Sequence, residues 1–314
     1  MATGIPSGRK RPFKNFVRSL SRSRATQVTV AAAVRGLIGL IRALGPERAG
    51  RVSEAVTVFV GRFVPESKLA LRNLAAAFPE KTEAEREAIL EGVWRNLGRT
   101  VAEYVHLDQL VDIDPEHLDR CRTEVVGLEY FLSLRDDGKP GIVFSAHLAN
   151  WEILAVVAAR FGLPVVALFR APTNNVIAQD LIRRREELMG KLIASGRGAT
   201  FEVAAALDRG EHLGILTDQH HGSGPRVPFF GRMVAANPLV ARLARQYDCP
   251  VHGARTIRLP DGRFRVELTP PLDMPRDAEG LVDVTAGTAA VMAVVEGWVR
   301  EHPEQWLWLH NRWR

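Results

Sequence analysis

Between Pro140 and Gln219 short apolar runs alternate with segments of helical character. GIVFSAH (141–147), PVVALFR (164–170) and HLGILTDQ (212–219) are rich in β-branched residues, bounded by turn-forming or polar ones, and too short for helices. Helices are expected in the gaps between them, over 151–161, about 175–194 and about 200–209. Strands apolar along their whole length and separated by helices form a mainly parallel sheet covered on both faces. CPVHGARTIR and RFRVELTP flank LPDG, the pattern of a hairpin closed by a Pro-Asp-Gly turn, which makes the sheet mixed. The expected class is therefore α/β, a mixed mainly parallel sheet flanked by helices, and 314 residues give it ample length for a buried core.

A helical portion precedes the sheet. The stretch 81–107 opens on a capping box from Thr82 to Glu85 and carries Ile89, Val93, Leu97 and Val101 at helical spacing. The preceding helix ends at Phe78, because Pro79 disfavours helical backbone in the residue before it. Further back the chain is cationic: Arg9, Lys10, Arg11, Lys14, Arg18, Arg22, Arg24, Arg35 and Arg42 all precede the first acidic residue, Glu47, and more than account for the net charge of +6. Such an arm suits a polyanionic surface, and charge alone leaves nucleic acid and anionic lipid both open. VTVAAAVRGLIGLIRAL (28–44) is apolar, but Arg35 and Arg42 interrupt it short of the ~20 apolar residues of a membrane span. Two readings stand side by side: a helix in a membrane interface with its arginines snorkelling, or an ordinary helix packed on the domain. Residues 9–27 also fit an arginine- and serine-rich targeting peptide. The organisation expected is a basic, membrane-associating arm over 1–50 and one α/β domain over 51–314.

Each of the first three expected strands ends in a polar residue: His147, Arg170 and Asp218. In open α/β sheets ligands bind at the carboxyl ends of the strands, so these residues point to one crevice. His147 and Glu152 are five apart, a spacing that on a continuous helix puts them roughly 140° from each other. They meet only if His147 lies in the strand-to-helix turn and Glu152 in the first helical turn, with Asn150 as N-cap. Glu152 is then expected to orient the imidazole as a general base. Arg170 presents a planar fork for phosphate or carboxylate. TDQHHG adds Asp218, Gln219, His220 and His221, which keeps a metal-dependent phosphoesterase in view, although no HExxH-type pair supports a metal site. Cys121 and Cys249 lie far apart without zinc-type or disulfide-framework spacing. GxSxG, P-loop and GxGxxG motifs are absent, so acyl-serine, nucleotide-dependent and dinucleotide chemistry lack their residues. A base without its own nucleophile suggests that a substrate hydroxyl attacks an activated carbonyl directly.

RNLAAAFPE, WRNLGRTVAEY, SAHLANWE, VVALFRAPTNN, LTDQHHGSGPRVPFFGR with the following ANPLVARLA, and the terminal PEQWLWLHNRWR occur in order along the chain. SAHLANWE is similar to the His-X4-Asp/Glu signature of glycerolipid-type acyltransferases. The whole set resembles the lauroyl/myristoyl acyltransferases of lipid A biosynthesis. That resemblance implies transfer of a fatty acyl chain from an acyl carrier protein thioester to a hydroxyl of a Kdo-bearing lipid A precursor, at the cytoplasmic face of the bacterial inner membrane, with no cofactor, no metal and no nucleic acid. It makes His147 the general base with Glu152 as partner, Arg170 a group for substrate phosphate or oxyanion, and Asp218 the acid of a DQ motif. Asn150 and Gln219 become supporting substrate-site positions, while His220 and His221 receive no role. Related enzymes act on phosphatidylinositol mannosides, so another glycolipid acceptor is an alternative. A non-enzymatic basic binding protein is a third reading, under which Trp306, Trp308 and Trp313 would stack on bases. Their clustering after a helix suits packing against the domain instead.

Overall fold

The computed structural model describes residues 24–163, 165–169, 175–196 and 198–313. The arginines and lysines before residue 24, apart from which Arg35 and Arg42 are described, and Arg170 at the end of the second expected strand, lie outside those residues. The helical portion consists of α1 (Arg24–Ala43), α2 (Gly45–Gly61), α3 (Pro65–Ala77), α4 (Glu83–Tyr104) and the single turn α5 (Leu107–Leu110). The capping box at Thr82 forms as expected: the Glu85 N–H donates to Thr82 Oγ1 at 3.3 Å, and the Thr82 N–H donates to Glu85 Oε2 at 2.7 Å. α3 stops before Phe78, whose backbone leaves the helical region at φ −128°.

The α/β part follows as β1 (Thr123–Val126), α6 (Leu128–Asp136), β2 (Ile142–Ser145), α7 (Glu152–Arg160), β3 (Val165–Phe169), α8 (Asn175–Met189), β4 (Leu192–Ala194), α9 (Ala199–Asp208), β5 (His212–Leu216), β6 (Arg226–Phe229), β7 (Arg232–Ala235), α10 (Leu239–Tyr247), β8 (Val251–Arg258), β9 (Phe264–Pro271) and α11 (Val284–Glu301). Seven strands form one sheet in the order β1-β9-β8-β2-β5-β3-β4. All neighbouring pairs are parallel except β8 with β9, the hairpin read from LPDG. The fold is the mixed, mainly parallel α/β sheet expected from the sequence.

Three features differ from that reading. The helix expected over 175–194 ends at Met189, where Gly190 turns the chain with φ 104°, and Leu192–Ala194 add an edge strand beside β3. β1 pairs with β9 at the other edge through four residues, too few to show a period. RVPFFGRMVA folds into the separate antiparallel ribbon β6–β7.

The sheet separates two apolar clusters. Ile142 and Phe144 of β2 point into the larger one with Ile215, Val295, Trp298, Trp306 and Trp308. Val143, between them, faces the smaller one, built from Phe131, Ile153, Val157, Val266 and Leu268. The tryptophans of the terminal segment are core: Trp306 and Trp308 are 1% and 0% exposed and meet edge to face at 4.6 Å.

α2 lies along α4 at short range. Thr57 Oγ1 donates to the Trp94 carbonyl at 2.8 Å, and a Cβ on Gly98 would come within 2.2 Å of Thr57 Oγ1 and 2.7 Å of the Ser53 carbonyl. Only a residue without a side chain fits there. Gly98→Ala is expected to force the helices apart and destabilise the protein by about 1–3 kcal/mol, seen as a lower melting temperature of the purified variant.

Candidate active site

β2 and β5 are adjacent parallel strands with Ser145 opposite Leu216, and the ladder continues as the Thr217 N–H donates to the Ser145 carbonyl at 2.9 Å. Two residues further on each chain stand His147 and Asp218, so the register alone brings them face to face. Asp218 Oδ1 binds His147 Nδ1 at 2.7 Å, while Oδ2 accepts the His147 backbone N–H at 2.9 Å. Oδ2 also accepts Trp306 Nε1–H at 2.7 Å from the terminal segment. Asp218 is fully buried. Burial pushes its carboxyl up, but the charge and hydrogen bonds of His147 outweigh this and hold it below the ordinary carboxylate range. For His147, burial pushes the imidazole down, yet the charge and hydrogen bond of Asp218, joined by the charge of Glu152, keep it above the ordinary histidine value.

The expected hydrogen bond from the imidazole to Glu152 is not made; Asp218 holds that position. α7 begins at Glu152, as required for a five-residue spacing to close, but the carboxylate is engaged by Arg185 of α8 and by Trp151 Nε1–H at 3.1 Å. The Trp151 indole also packs edge-on against His147, with ring centroids 4.9 Å apart. Glu152 thus acts on His147 through its charge. Burial raises the Glu152 carboxyl above its ordinary range, and the charges of Arg185 and His147 and the Trp151 hydrogen bond only partly offset this.

Asn150 is fully buried, with its Oδ1 accepting the Glu152 N–H at 3.3 Å and its Nδ2 donating to Glu103 Oε2 at 3.1 Å. Its side chain serves the turn and the helix start. Gln219 is exposed, and its Nε2 lies 3.4 Å from His147 Nε2, at the ring nitrogen Asp218 leaves open. His221 Nδ1 faces Ser223 Oγ at 3.4 Å. Among the described residues, no group of three or more His, Cys, Asp or Glu side chains is placed to hold a metal ion.

The turn after β2 is strained. Ala149 adopts φ 45°, a left-handed conformation costing a residue with a side chain about 1–2 kcal/mol. Its N–H donates to the Gln305 carbonyl at 2.9 Å, and its carbonyl accepts Thr100 Oγ1–H at 3.0 Å and Asn96 Nδ2–H at 3.4 Å. Leu148 bridges to Trp306, so the terminal segment runs antiparallel beside the turn.

A model of the bacterial lipid A biosynthesis acyltransferases matches residues 18–314, nearly the whole chain. The chain belongs to that family. The lipid A biosynthesis myristoyltransferase of Escherichia coli (strain K12) is 29% identical over 262 residues, 80% of this chain and 76% of that one. The lauroyltransferase and the palmitoleoyltransferase of lipid A biosynthesis from the same strain are 26% and 25% identical, covering 79% and 78% of this chain and the same shares of their own. The protein is an acyltransferase of this family.

Two arginines of this acyltransferase were not singled out from its sequence. Arg185, in IRRREELM, pairs with Glu152 and lies over the rings of Tyr104 and Phe169, at 5.4 and 6.0 Å from their centroids. Three consecutive arginines on a helix give no sign of which one turns inward. Arg312 is fully buried over the Phe229 ring, with Nη1 donating to the Ala235 carbonyl at 2.9 Å. Burial pushes its guanidinium down to about 10, against the pull of the Asp218 charge. A cation inside the aromatic HNRWR segment was the available signal.

The His147–Asp218 pair has a defined pH window. The raised folded value of His147 gives a stabilisation fully present below pH 6.5 and lost as pH rises through that raised value. The depressed folded value of Asp218 gives one present above pH 3.8 and lost as pH falls through the depressed value. Asp218→Asn is therefore expected to destabilise most between these two limits, measured as melting temperature against pH. With the carboxylate gone, burial dominates His147, so the acid limb of the variant's activity profile should move to lower pH.

Proposed function

We propose that this enzyme moves a fatty acyl chain from an acyl carrier protein thioester to a hydroxyl of a lipid A precursor, with His147 as general base. The carrying observation is the buried Asp218 carboxylate on His147 Nδ1. It keeps the proton on that nitrogen and leaves Nε2 as the proton acceptor, on a side chain still 14% exposed. Nε2 takes the proton of the acceptor hydroxyl as its oxygen attacks the thioester carbonyl carbon. The tetrahedral oxyanion collapses with cleavage of the C–S bond, and the imidazolium returns the proton to the departing thiolate. Ester and free thiol result, with no nucleotide consumed. Glu152, anchored by Arg185, stabilises the imidazolium by charge. Asn150 supports the turn, Gln219 borders the open nitrogen, and Arg170 serves the substrate phosphate or the oxyanion.

A lipid acceptor calls for access to a bilayer. The run Val28–Gly61, helical but for a break at Leu44 before Pro46, contains a stretch long and apolar enough to cross a membrane, with mean hydropathy 1.6 over 18 residues, 6% of them buried. Leu37, Leu40, Val56 and Phe59 are exposed along it, and Phe63 just beyond it. Arg42 is not free to snorkel, since it pairs with Asp108 and donates to the Val105 carbonyl at 3.2 Å. The assignment is residues 1–50 as a membrane-associating arm and 51–314 as the acyltransferase domain, working at the cytoplasmic face of the inner membrane.

With acyl carrier protein thioesters and a Kdo-bearing lipid A precursor in EDTA, wild type should transfer acyl groups, and His147→Ala should lose roughly 10²- to 10⁴-fold in kcat. Folded His147→Ala of full activity would refute the base, and wild-type transfer lost in EDTA and restored by a divalent cation would make the transfer metal-dependent. Transfer only to phosphatidylinositol mannoside would change the acceptor. Glu152→Gln should lower kcat less than His147→Ala, because it removes a charge and no bond to the imidazole.

A further inference from the structure

Behind the strained turn lies a polar network that the acyl-transfer chemistry does not use directly. Glu103 of α4 and Arg258 at the end of β8 form a buried pair: Arg258 Nη2 donates to Glu103 Oε2 at 2.9 Å, and Nη1 pairs with Oε1. The two side chains are 9% and 10% exposed. The same Glu103 Oε2 accepts from Asn150 Nδ2 at 3.1 Å. Arg258 Nε donates to Asn96 Oδ1 at 3.2 Å, and Asn96 in turn donates to the Ala149 carbonyl, which also accepts from Thr100 Oγ1. On the other side, Gln305 receives the Arg258 N–H at 2.9 Å and donates to the Arg258 carbonyl at 3.0 Å. Its own backbone carbonyl accepts the Ala149 N–H. Both peptide groups of the left-handed residue, and the side chain after it, are therefore held by one network joining α4, β8 and the terminal segment.

We propose that the Glu103–Arg258 pair is a positioning device that keeps the Ala149–Asn150 turn in its strained conformation and thereby holds the His147 imidazole on Asp218. Removing a buried charge from a pair is costly, whereas the pair itself adds little net stability over an apolar packing. A network that adds little stability yet holds the N–H and carbonyl of strained Ala149 and the side-chain amide of Asn150 is accounted for by geometry. Without it Ala149 relaxes towards negative φ, His147 two residues earlier shifts, and Nε2 loses its alignment. A displacement near 1 Å costs on the order of 10²-fold in rate. The cost falls on kcat, because none of these side chains contacts the open ring nitrogen.

The test uses the full-length enzyme and the acyl-transfer assay, and rests on His147 as general base. Glu103→Gln keeps the shape of Glu103 and removes its charge. It is expected to lower kcat by roughly ten- to a hundredfold at unchanged KM, to move the acid limb of the pH profile downwards, and to shift the proton resonance of His147 Nδ1, assigned by its disappearance in His147→Ala. Adding Ala149→Gly should restore much of kcat and of the resonance position, since glycine takes positive φ without strain. If Glu103→Gln does not fold, Thr100→Val, which deletes one hydroxyl bonded to Ala149, is read in the same way. A folded variant with wild-type kcat and resonance overturns the proposal, as does a loss of kcat with an unmoved resonance and no recovery on adding Ala149→Gly. Failure of the base assignment is recognised separately, by activity in His147→Ala.

Discussion

The buried carboxylate of Asp218 is the constraint on which the site depends. A fully desolvated charge survives in a protein only when it is paired and hydrogen-bonded. Here it accepts from the His147 imidazole, the His147 backbone and the Trp306 indole. Those donors come from two regions far apart in the chain, which Asp218 ties to the end of β5. Removing any donor leaves part of a buried charge uncompensated, so the terminal tryptophan is as much a part of the electrostatics as the histidine. This explains why the terminal segment, with Trp306 and Trp308 in the core, folds back beside the turn that carries His147.

Around this pair lies a second set of charges kept at a different balance. Glu152 has one arginine and one indole as partners, and burial still leaves its carboxyl raised, while Asp218 is depressed. Two carboxyls near one imidazole are thus driven in opposite directions by their surroundings, one as the fixed hydrogen-bonded anion and one as a charge tuned by Arg185. In the proposed reaction, such separation would let His147 accept a proton from a hydroxyl and return it to a thiolate without losing its orientation.

Much of this architecture was legible along the chain. β-branched runs of strand length gave the sheet, LPDG gave the hairpin, Thr82 and Glu85 gave the start of α4, and the ends of two runs marked His147 and Asp218 as neighbours. The edge strands β1 and β4 were not legible, because three or four residues carry no usable period and their conformation is fixed by pairing with β9 and β3. Nor was the ribbon β6–β7, whose FG turn lies among residues that also suit a loop.

Chain order determined which residue types stand at the strand ends and that His147 precedes its helix, since strand length, turn chemistry and capping act over a few residues. The tertiary structure alone decided who partners whom. β2 and β5 lie side by side with Ser145 opposite Leu216, and that register, not the five-residue spacing to Glu152, gives the imidazole to Asp218. The same holds for Arg185 on Glu152 and for Glu103 and Arg258 behind Ala149. Pairings between residues tens or hundreds of positions apart are set by sheet order and helix packing, which no local pattern of side chains encodes.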